Sequence, residues 1–283
     1  MIDLFEFPEL SRSVIRTIKK SIDNSFREFS RSYGDSIEVF FYPLKVLMNW
    51  VEFALVSAPW PLAMFILAGA VFYLTRNKKL CAWTVVYMIF IGAFGLWEDT
   101  MYTLSLVLVS ALLSVVIGIP IGIWMSRKDR VQNFINPILD VMQTIPIFVY
   151  LIPVVMLLGL GKIPGVIAMT IYAVPPIIRL TNLGLRQVSI GMIEAALSMG
   201  MKPWQILWTI ELPLSMKSIL TGTNQTIMMA ISMVVIASMI GVQGLGVSVL
   251  QAVQNQYIGS GIISGTAIVG LAIILDRVVQ NAK

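Results

Sequence analysis

The chain has 283 residues, of which 57% are hydrophobic and 12% are charged, and its formal net charge is +5. Soluble domains carry about 25% charged residues, so this chain is solvated mainly by lipid and leaves no room for a large soluble domain. The positive charge does not indicate nucleic acid, because the basic residues lie mainly in short loops beside apolar segments, where membrane topology explains them.

The residue types exclude several kinds of chemistry. The chain has no histidine and one cysteine, Cys81, which excludes an intrachain disulfide, a His/Cys metal site and Ser-His or Cys-His catalysis. No Walker A loop is present: Gly161-Lys162 is followed by Ile163 and lacks the first glycine of that motif. We therefore expect no metal, no cofactor and no ATP site in this chain. The opening MIDLFEFPEL lacks a basic and an apolar region, so no cleavable signal peptide is expected.

The N-terminal region is amphipathic. Residues 9–33 place their apolar side chains at steps of three and four, which predicts one apolar stripe on a polar helix. Residues 37–56 are more apolar, and Pro43 is expected to interrupt their helix. One face of this second segment carries four polar residues, Glu38, Lys45, Asn49 and Glu52. One charge at the centre of a spanning helix costs about 2.5–3.5 kcal/mol, so an interfacial helix is expected; packing of the polar face on the bundle is an equally good and compatible interpretation.

The rest of the chain predicts an all-α integral membrane protein with about seven transmembrane helices. The expected spans are roughly 58–75, 80–97, 101–125, 140–160, 163–180, 214–240 and 261–279. The basic loops follow the first, third and fifth spans and include RNKK at 76–79 and SRKDR at 126–130. The positive-inside rule puts these loops in the cytoplasm, with the N-terminus outside and the C-terminus inside.

The segment EAALSMGMKPWQILWTIELP, residues 194–213, is a polar loop punctuated by glycine and proline between long apolar runs. Its first part predicts a helix of about two turns, in which two alanines let another surface approach the backbone. Gly200 suits a left-handed residue at the end of that helix. Pro203 suits the first turn of a second helix, which Leu212-Pro213 is expected to end before the next span begins.

The spacing EAA-x3-G-x9-I-x-L-P resembles the cytoplasmic coupling loop of the membrane subunit of ABC importers. The residues that carry it are Glu194, Ala195, Ala196, Gly200, Ile210, Leu212 and Pro213. From about residue 58 to the C-terminus, the chain resembles the ProW-like permease subunits of glycine betaine/proline betaine importers. Four further strings carry the resemblance: LDVMQTIPIFVYLIPVVMLLGLG, YAVPPIIRLTNLGLRQV, NQTIMMAISMVVIASMIGVQGLG and AIILDR.

The resemblance implies the type I importer (MetI-like) core and a division of the chain into three parts. These are an extracytoplasmic tail with an interfacial helix at 1–57, accessory helices at 58–98, and the core at 99–283 with its coupling loop at 181–213. It implies a multi-pass protein of the cell inner membrane that works with a second copy of the permease, two cytoplasmic ATPase subunits and a periplasmic or surface binding protein. The implied activity is ATP-driven import of quaternary-ammonium osmolytes by an assembly whose permease is not itself an enzyme.

Polar residues in the core spans are candidates for the translocation pathway, although such residues also hydrogen-bond between helices. They are Gln143, Thr144, Tyr150, Asn224, Gln225, Ser232 and Ser238, with Thr226 beside them. Gly241, Gly244 and Gly246 are expected to shape an outer turn at the gate. No acid or base lies near the middle of the third to seventh spans, which argues against a proton- or sodium-coupled carrier.

Other functions stay open at this point. The same architecture could import choline, carnitine, proline or a sulfonium osmolyte. An ATP-independent carrier or channel is a second class of function. An intramembrane enzyme is a third, and the missing histidine and missing midplane carboxylates argue against it.

Overall fold

The computed structural model describes residues 10–281, so most of the opening segment on which the signal-peptide expectation rests lies outside the described residues. All the regular elements in this part of the chain are helical, as the composition predicts. The first seven helices are α1 (Arg12–Val56), α2 (Trp60–Thr75), α3 (Lys78–Ala93), α4 (Trp97–Arg127), α5 (Asp129–Thr144), α6 (Ile147–Leu158) and α7 (Lys162–Arg186). The others are α8 (Ile190–Ser198), α9 (Pro203–Ile206), α10 (Leu212–Ser232), α11 (Val234–Ser238), α12 (Leu245–Gln254) and α13 (Ile258–Asn281).

Five of these helices are long and apolar enough to cross a membrane: α1, α4, α7, the helical run Pro203–Ser238 and α13. The bent pair α5 and α6 makes a sixth if it counts as one span, and α2 is a shorter apolar helix. The all-helical membrane fold expected from the sequence is therefore present.

The amphipathic N-terminal region forms one helix, so the expected interruption at Pro43 is wrong. Helix α1 has 45 residues and, at about 1.5 Å per residue, is roughly 68 Å long. Contacts on both sides of Pro43 hold it: Ser30 Oγ donates to the Met156 carbonyl at 2.9 Å, and Met48 is 1% exposed in the main core. Proline is tolerated inside a membrane helix where neighbouring groups stabilise the backbone on either side.

The polar face of α1 meets the bundle through Glu52. Lys162, the first residue of α7, donates from Nζ to Glu52 Oε1 and Oε2 at 2.5 and 2.6 Å, and its ammonium lies 5.6 Å from the centre of the Tyr102 ring. The Glu52 side chain is 14% exposed, so this charge is neutralised rather than left in an apolar setting. Packing of the polar face on the bundle, one of the two interpretations of the sequence, is what the structure has at this residue.

The centre of the fold is the packing of α4, α7 and α10, the helices with the most extensive mutual contacts. Small residues permit it. A Cβ on Gly118 would lie 2.3 Å from Ile177 Cγ2, and one on Gly122 would lie 2.8 Å from the Ile178 carbonyl oxygen. On the other side of α7, a Cβ on Gly184 would lie 2.7 Å from Ser218 Cβ of α10. Close backbone approach of this kind is how helices associate where lipid removes the hydrophobic drive between them.

The prediction that residues 140–160 form one spanning helix is wrong. Helices α5 and α6 meet at 92°, and the break falls at Ile145-Pro146. Ile145 is extended, with φ −65° and ψ 130°, because the ring of a following proline excludes the helical conformation. Residues 241–260 were expected to form a loop, but they contain α12, a helix of 10 residues.

The glycine contact between α4 and α7 gives a direct test of this packing. We expect Gly122→Leu to destabilise the fold by about 1–3 kcal/mol, because the new side chain meets the Ile178 backbone, which cannot move aside. Gly69→Leu in α2 is the matched control, since a Cβ there meets nothing within 4 Å. The measurement is the fraction of monodisperse protein left after heating in detergent. Equal losses in the two variants would contradict the proposed role of close packing.

Candidate functional site

The segment that resembles a coupling loop forms a short, outward-facing helix, α8. Ser189 precedes it, and Gly200 follows it with φ +80°, the left-handed conformation that glycine adopts without strain. Two backbone hydrogen bonds close the end of the helix, from Gly200 N to the Leu197 carbonyl at 2.9 Å and from Met201 N to the Ala196 carbonyl at 3.1 Å. The element that α8 contacts most is α9, so the helix stands away from the bundle.

The exposed surface of this loop combines an acid, small residues and large apolar side chains. Glu194 and Ala195 are exposed, whereas Ala196 is 3% exposed and faces inward. Beyond the helix, Met199 is 83%, Trp204 62% and Trp208 65% exposed. Contiguous apolar surface rimmed by polar residues is typical of a protein–protein contact. The loop therefore has the composition of a docking surface.

The second helix of the loop does not end at Leu212-Pro213, contrary to expectation. Helix α9 is followed by a π-helical turn, Leu207–Glu211, and the backbone then continues directly into α10. Pro213 has no N–H to donate into an α-helical ladder and its ring crowds the preceding turn. The wider π turn, in which Leu212 N–H bonds to the Leu207 carbonyl, accommodates it. Ile210 is half-buried in this turn, and Leu212 is 9% exposed at the start of α10.

A buried carboxylate fixes the base of the loop to α4. Glu211, 3% exposed, forms two hydrogen bonds with the guanidinium of Arg127, one of them at 3.0 Å from Nη1 to Oε1. The geometry is bidentate, which is the strongest form of this interaction. Arg127 is the last residue of α4 and Glu211 the last of the π turn, so the pair joins the ends of these two elements directly.

Two more arginines form ion pairs and hydrogen bonds at the same end of the bundle. Arg186, at the end of α7, donates to Asp129 Oδ1 at 2.7 Å, to Asn182 Oδ1 at 3.1 Å and to the Met125 carbonyl at 3.0 Å. Arg179 pairs with Asp140 of α5. Sequence reasoning missed these pairs and Arg127–Glu211. The available signal was an acid beside an apolar run at a membrane boundary, as in Ile-Glu-Leu-Pro at 210–213.

The candidate pathway residues occupy different environments. Gln143 and Thr144 are exposed near the end of α5, and Tyr150 is half-buried on α6 with its hydroxyl unpaired within the described residues. Asn224 donates to Asp276 Oδ1 of α13 at 2.6 Å, and Ser238 is buried with its hydroxyl on the Val234 carbonyl. Thr144 and Ser232 also donate to carbonyl groups of their own helices, those of Asp140 and Met228, each at 2.9 Å. Asn224 therefore bonds to another helix, whereas Ser238, Thr144 and Ser232 bond within their own.

A single exposed stripe does run along α10. Gln225 and Ser232 share it with Thr221 and Met228, at steps of four, three and four. Thr226 faces the opposite way and donates to the Ala173 carbonyl of α7 at 2.9 Å. The described residues of this chain leave the stripe uncovered.

The glycine-rich turn is pinned to the start of α4. Gly241 and Gly244 lie in the turn with φ +86° and +129°, whereas Gly246 lies in the first turn of α12. Thr103 Oγ1 accepts from Leu245 N at 2.8 Å, and a Cβ on Gly244 would lie 2.5 Å from that oxygen. Glycine at 244 is therefore required both by the backbone conformation and by the approach of Thr103.

The ion pair at the base of the loop predicts an asymmetric response to mutation. Arg127→Met leaves the Glu211 carboxylate buried without its partner, and breaking a buried pair in this way costs about 3–5 kcal/mol. Glu211→Gln leaves a guanidinium whose side chain is 42% exposed and can be solvated, so a loss near 1 kcal/mol is expected. Thermal unfolding in detergent measures both, and R127M/E211Q should be more stable than R127M. Equal losses in the two single variants would contradict this account.

Residues 114–281 match the family described as binding-protein-dependent transport system inner membrane component. The fold is similar to that of the inward-facing MetNI methionine ABC transporter, with a TM-score of 0.56 and 22% identity over 64% of this chain and 93% of that chain.

Three relatives align with most of the chain. The glycine betaine/carnitine transport permease protein GbuB of Listeria monocytogenes is 48% identical over 82% of each chain. The glycine betaine/proline betaine permease ProW of Escherichia coli is 47% identical over 84% of this chain and 67% of its own. The glycine betaine permease OpuAB of Bacillus subtilis is 40% identical over 93% of each chain. The chain belongs to the family of inner membrane components of binding-protein-dependent transport systems.

Proposed function

We propose that this chain is the permease subunit of an ABC importer that takes up glycine betaine and proline betaine-type osmolytes. The observation that carries the proposal is the exposed loop 190–206, whose base is joined to α4 by the Arg127–Glu211 pair in a chain of this transporter family. An outward-facing helix that contacts little of its own bundle has the properties of a surface that receives force from another subunit.

The energy source is proposed to be a separate pair of cytoplasmic ATPase subunits that dock on Glu194, Ala195 and Gly200. A second copy of this permease and a periplasmic or surface binding protein complete the assembly. This chain itself is proposed to have no ATPase site, which agrees with the absence of a Walker A motif from its sequence.

The cargo is proposed from its shared chemistry in the relatives. Their names give glycine betaine, carnitine and proline betaine, and two further relatives are named trimethylamine N-oxide permeases. All are zwitterionic or strongly dipolar molecules with a fully substituted nitrogen, which aromatic faces and weak dipoles bind without a fixed counter-charge. Choline, proline and sulfonium osmolytes remain alternatives within the same architecture.

The pathway is proposed to run along the exposed stripe of α10 and to be completed by the second copy. Gln225 and Ser232 supply its polar groups, and Gln143, Thr144 and Tyr150 at the bend between α5 and α6 are further candidates. Asn224 is proposed to support helix packing at its edge because it bonds to Asp276 of α13, and Ser238 because its side chain is buried. Gly241 and Gly244 in the turn, and Gly246 in the first turn of α12, are proposed to shape the outer gate.

The mechanism is proposed to be alternating access. ATP closes the two ATPase subunits, the loop moves with them, and the pairs at Glu211, Asp129 and Asp140 carry the movement into α4, α7 and α5. A shift of the conformational equilibrium from 1:99 to 99:1 needs about 5.5 kcal/mol of differential binding, which coupled nucleotide binding can supply. An ATP-independent carrier is the rival, and it predicts osmolyte flux into liposomes by the chain alone.

Orientation and domain limits are part of the proposal. The tail 1–57 is placed outside, the accessory helices at 58–98 precede the core 99–283, and the coupling loop 181–213 and the C-terminus are placed in the cytoplasm. The support is the basic character of the loops at 76–79 and 126–130.

Cysteine labelling tests the orientation. In a Cys81→Ser background, Glu98→Cys in intact cells should react with a membrane-impermeant maleimide, and Lys202→Cys should react only after the membrane is opened. Both residues are exposed or half-exposed, so accessibility to reagent depends on the side of the membrane and not on burial. The reverse pattern would invert the proposed topology.

Two substitutions test the docking loop. We expect Glu194→Lys and Gly200→Val to abolish ATP-driven betaine uptake and the copurification of ATPase subunits, while the protein still inserts. A lysine reverses the charge of the exposed acid, and a β-branched residue cannot adopt φ +80° without strain.

The matched controls for this test lie on α1. Glu28→Lys makes the same charge change at an exposed position, and Gly34→Val makes the same substitution where a Cβ meets nothing within 4 Å. Normal uptake and normal ATPase copurification in the two loop variants would refute the docking assignment. Uptake by the purified chain without ATP would refute the importer.

A further inference from the structure

An amphiphilic groove runs between α3 and α13, two helices that lie far from the coupling loop in the sequence. Its volume is about 700 Å³, within the range of roughly 300–1,000 Å³ typical of small-molecule sites. Two helical stripes form its walls. Lys79, Trp83, Val86 and Phe90 line it from α3, and Thr266, Val269, Ile273 and Arg277 line it from α13.

The floor of the groove is built by one close contact. Gly270 has no side chain, so the ring of Tyr87 packs where a Cβ would lie 2.5 Å from two of the ring carbons. The Tyr87 hydroxyl then donates to the Ala267 carbonyl at 2.8 Å, so this buried phenol has a hydrogen-bond partner. The part of the groove above it, the slot, is otherwise apolar. The side chains above this floor remain open, since Trp83 is 70%, Val86 58% and Val269 56% exposed.

The charged residues that line the groove come from the start of α3 and from the end of α13. Lys79 and Arg277 therefore line the same end of the groove, together with Asn77 and Asn281. The turn between α2 and α3 shapes this charged end of the groove, which is called the head below. Arg76 ends α2 in a left-handed conformation, and Asn77 Oδ1 caps α3 by accepting from Lys79 N at 3.0 Å.

The charge at this end is positive and largely uncompensated. Within the described residues Lys79 makes no ion pair, and Arg277 has a single long contact, 3.8 Å from Nε to Asp276 Oδ2. The Asp276 Oδ1 atom is already taken by the amides of Asn224 and Gln280, each at 2.6 Å. The Asn281 amide already donates to the Arg277 carbonyl at 2.8 Å. The head therefore presents two cations and the side-chain amide of Asn77, which is chemistry that binds a phosphate group.

The length of the groove matches one leaflet of a bilayer. From Lys79 to Phe90 there are 11 steps along α3, or about 16 Å at 1.5 Å per residue. Half of a hydrocarbon core of about 30 Å is about 15 Å. An acyl chain that begins at the basic head therefore reaches the end of the apolar slot near the midplane.

We propose that this groove is a binding site for an anionic phospholipid, whose phosphate lies between Lys79 and Arg277 and whose acyl chain lies against Trp83, Val86 and Val269. The site does not depend on the transport proposal. Any outward groove is filled by lipid, and what the basic head adds is a preference for an anionic headgroup. Because the head contains the basic loop at 76–79, the proposed topology puts the lipid in the cytoplasmic leaflet.

The test counts lipids on the delipidated full-length protein by native mass spectrometry, during titration with phosphatidylglycerol or phosphatidylcholine in detergent. We expect the wild type to bind phosphatidylglycerol more tightly. Each basic residue near an anionic headgroup contributes about 1 kcal/mol, so K79Q/R277Q should weaken the phosphatidylglycerol interaction roughly 10–30-fold. The phosphatidylcholine interaction should weaken much less, because its choline ammonium already offsets the charge of its phosphate. V269W, which fills the slot, should weaken both.

The control is K128Q/R130Q, which removes the same charge from another basic loop with exposed side chains. It should bind phosphatidylglycerol as the wild type does. The proposal is overturned if the control loses as much affinity as K79Q/R277Q, or if the wild type binds the two lipids equally. It is also overturned if V269W leaves lipid binding unchanged and lowers the fraction of dimer, since the groove would then receive a second copy of the chain.

Discussion

The arrangement of the core depends on the close approach of α4, α7 and α10. In lipid, apolar side chains gain little by leaving one helix surface for another, so association relies on packing at short range. Gly118, Gly122 and Gly184 remove the side chains that would hold these helices apart. Every other feature of the site, from the ion pairs at one end to the glycine turn at the other, is positioned on this three-helix unit.

The charged residues lie at the ends of that unit and join it to neighbouring elements. At one end Arg127, Arg179 and Arg186 tie α4, α5 and α7 to each other and to the π turn. At the other, Lys162 joins α7 to α1 through Glu52, and Thr103 joins α4 to the turn before α12. A closely packed centre with polar junctions at both ends suits a protein that is proposed to transmit movement along its helices.

The outer surfaces of the chain separate into regions of different chemistry. The loop 190–206 exposes large apolar side chains beside an acid, the α10 stripe exposes small polar groups, and the groove beside α3 joins an apolar slot to a basic head. The proposals above assign these surfaces to a protein partner, to a polar cargo with a second permease copy, and to a phospholipid. Each assignment follows from the side-chain chemistry that the surface exposes.

The sequence by itself determined the helical membrane fold, the family resemblance and the loop with Glu194 and Gly200. Hydropathy, punctuation by glycine and proline, and motif spacing are local, and no distant contact is needed to read them. Only the tertiary structure decided the continuity of α1 through Pro43, because contacts of Ser30 and Met48 with the bundle outweigh the local effect of a proline. The partners of Glu211, Glu52 and Asn224 were likewise out of reach, since they lie 84, 110 and 52 residues away along the chain. The packing of the helices sets which polar side chains pair across such distances. No local pattern in a single sequence records that pairing.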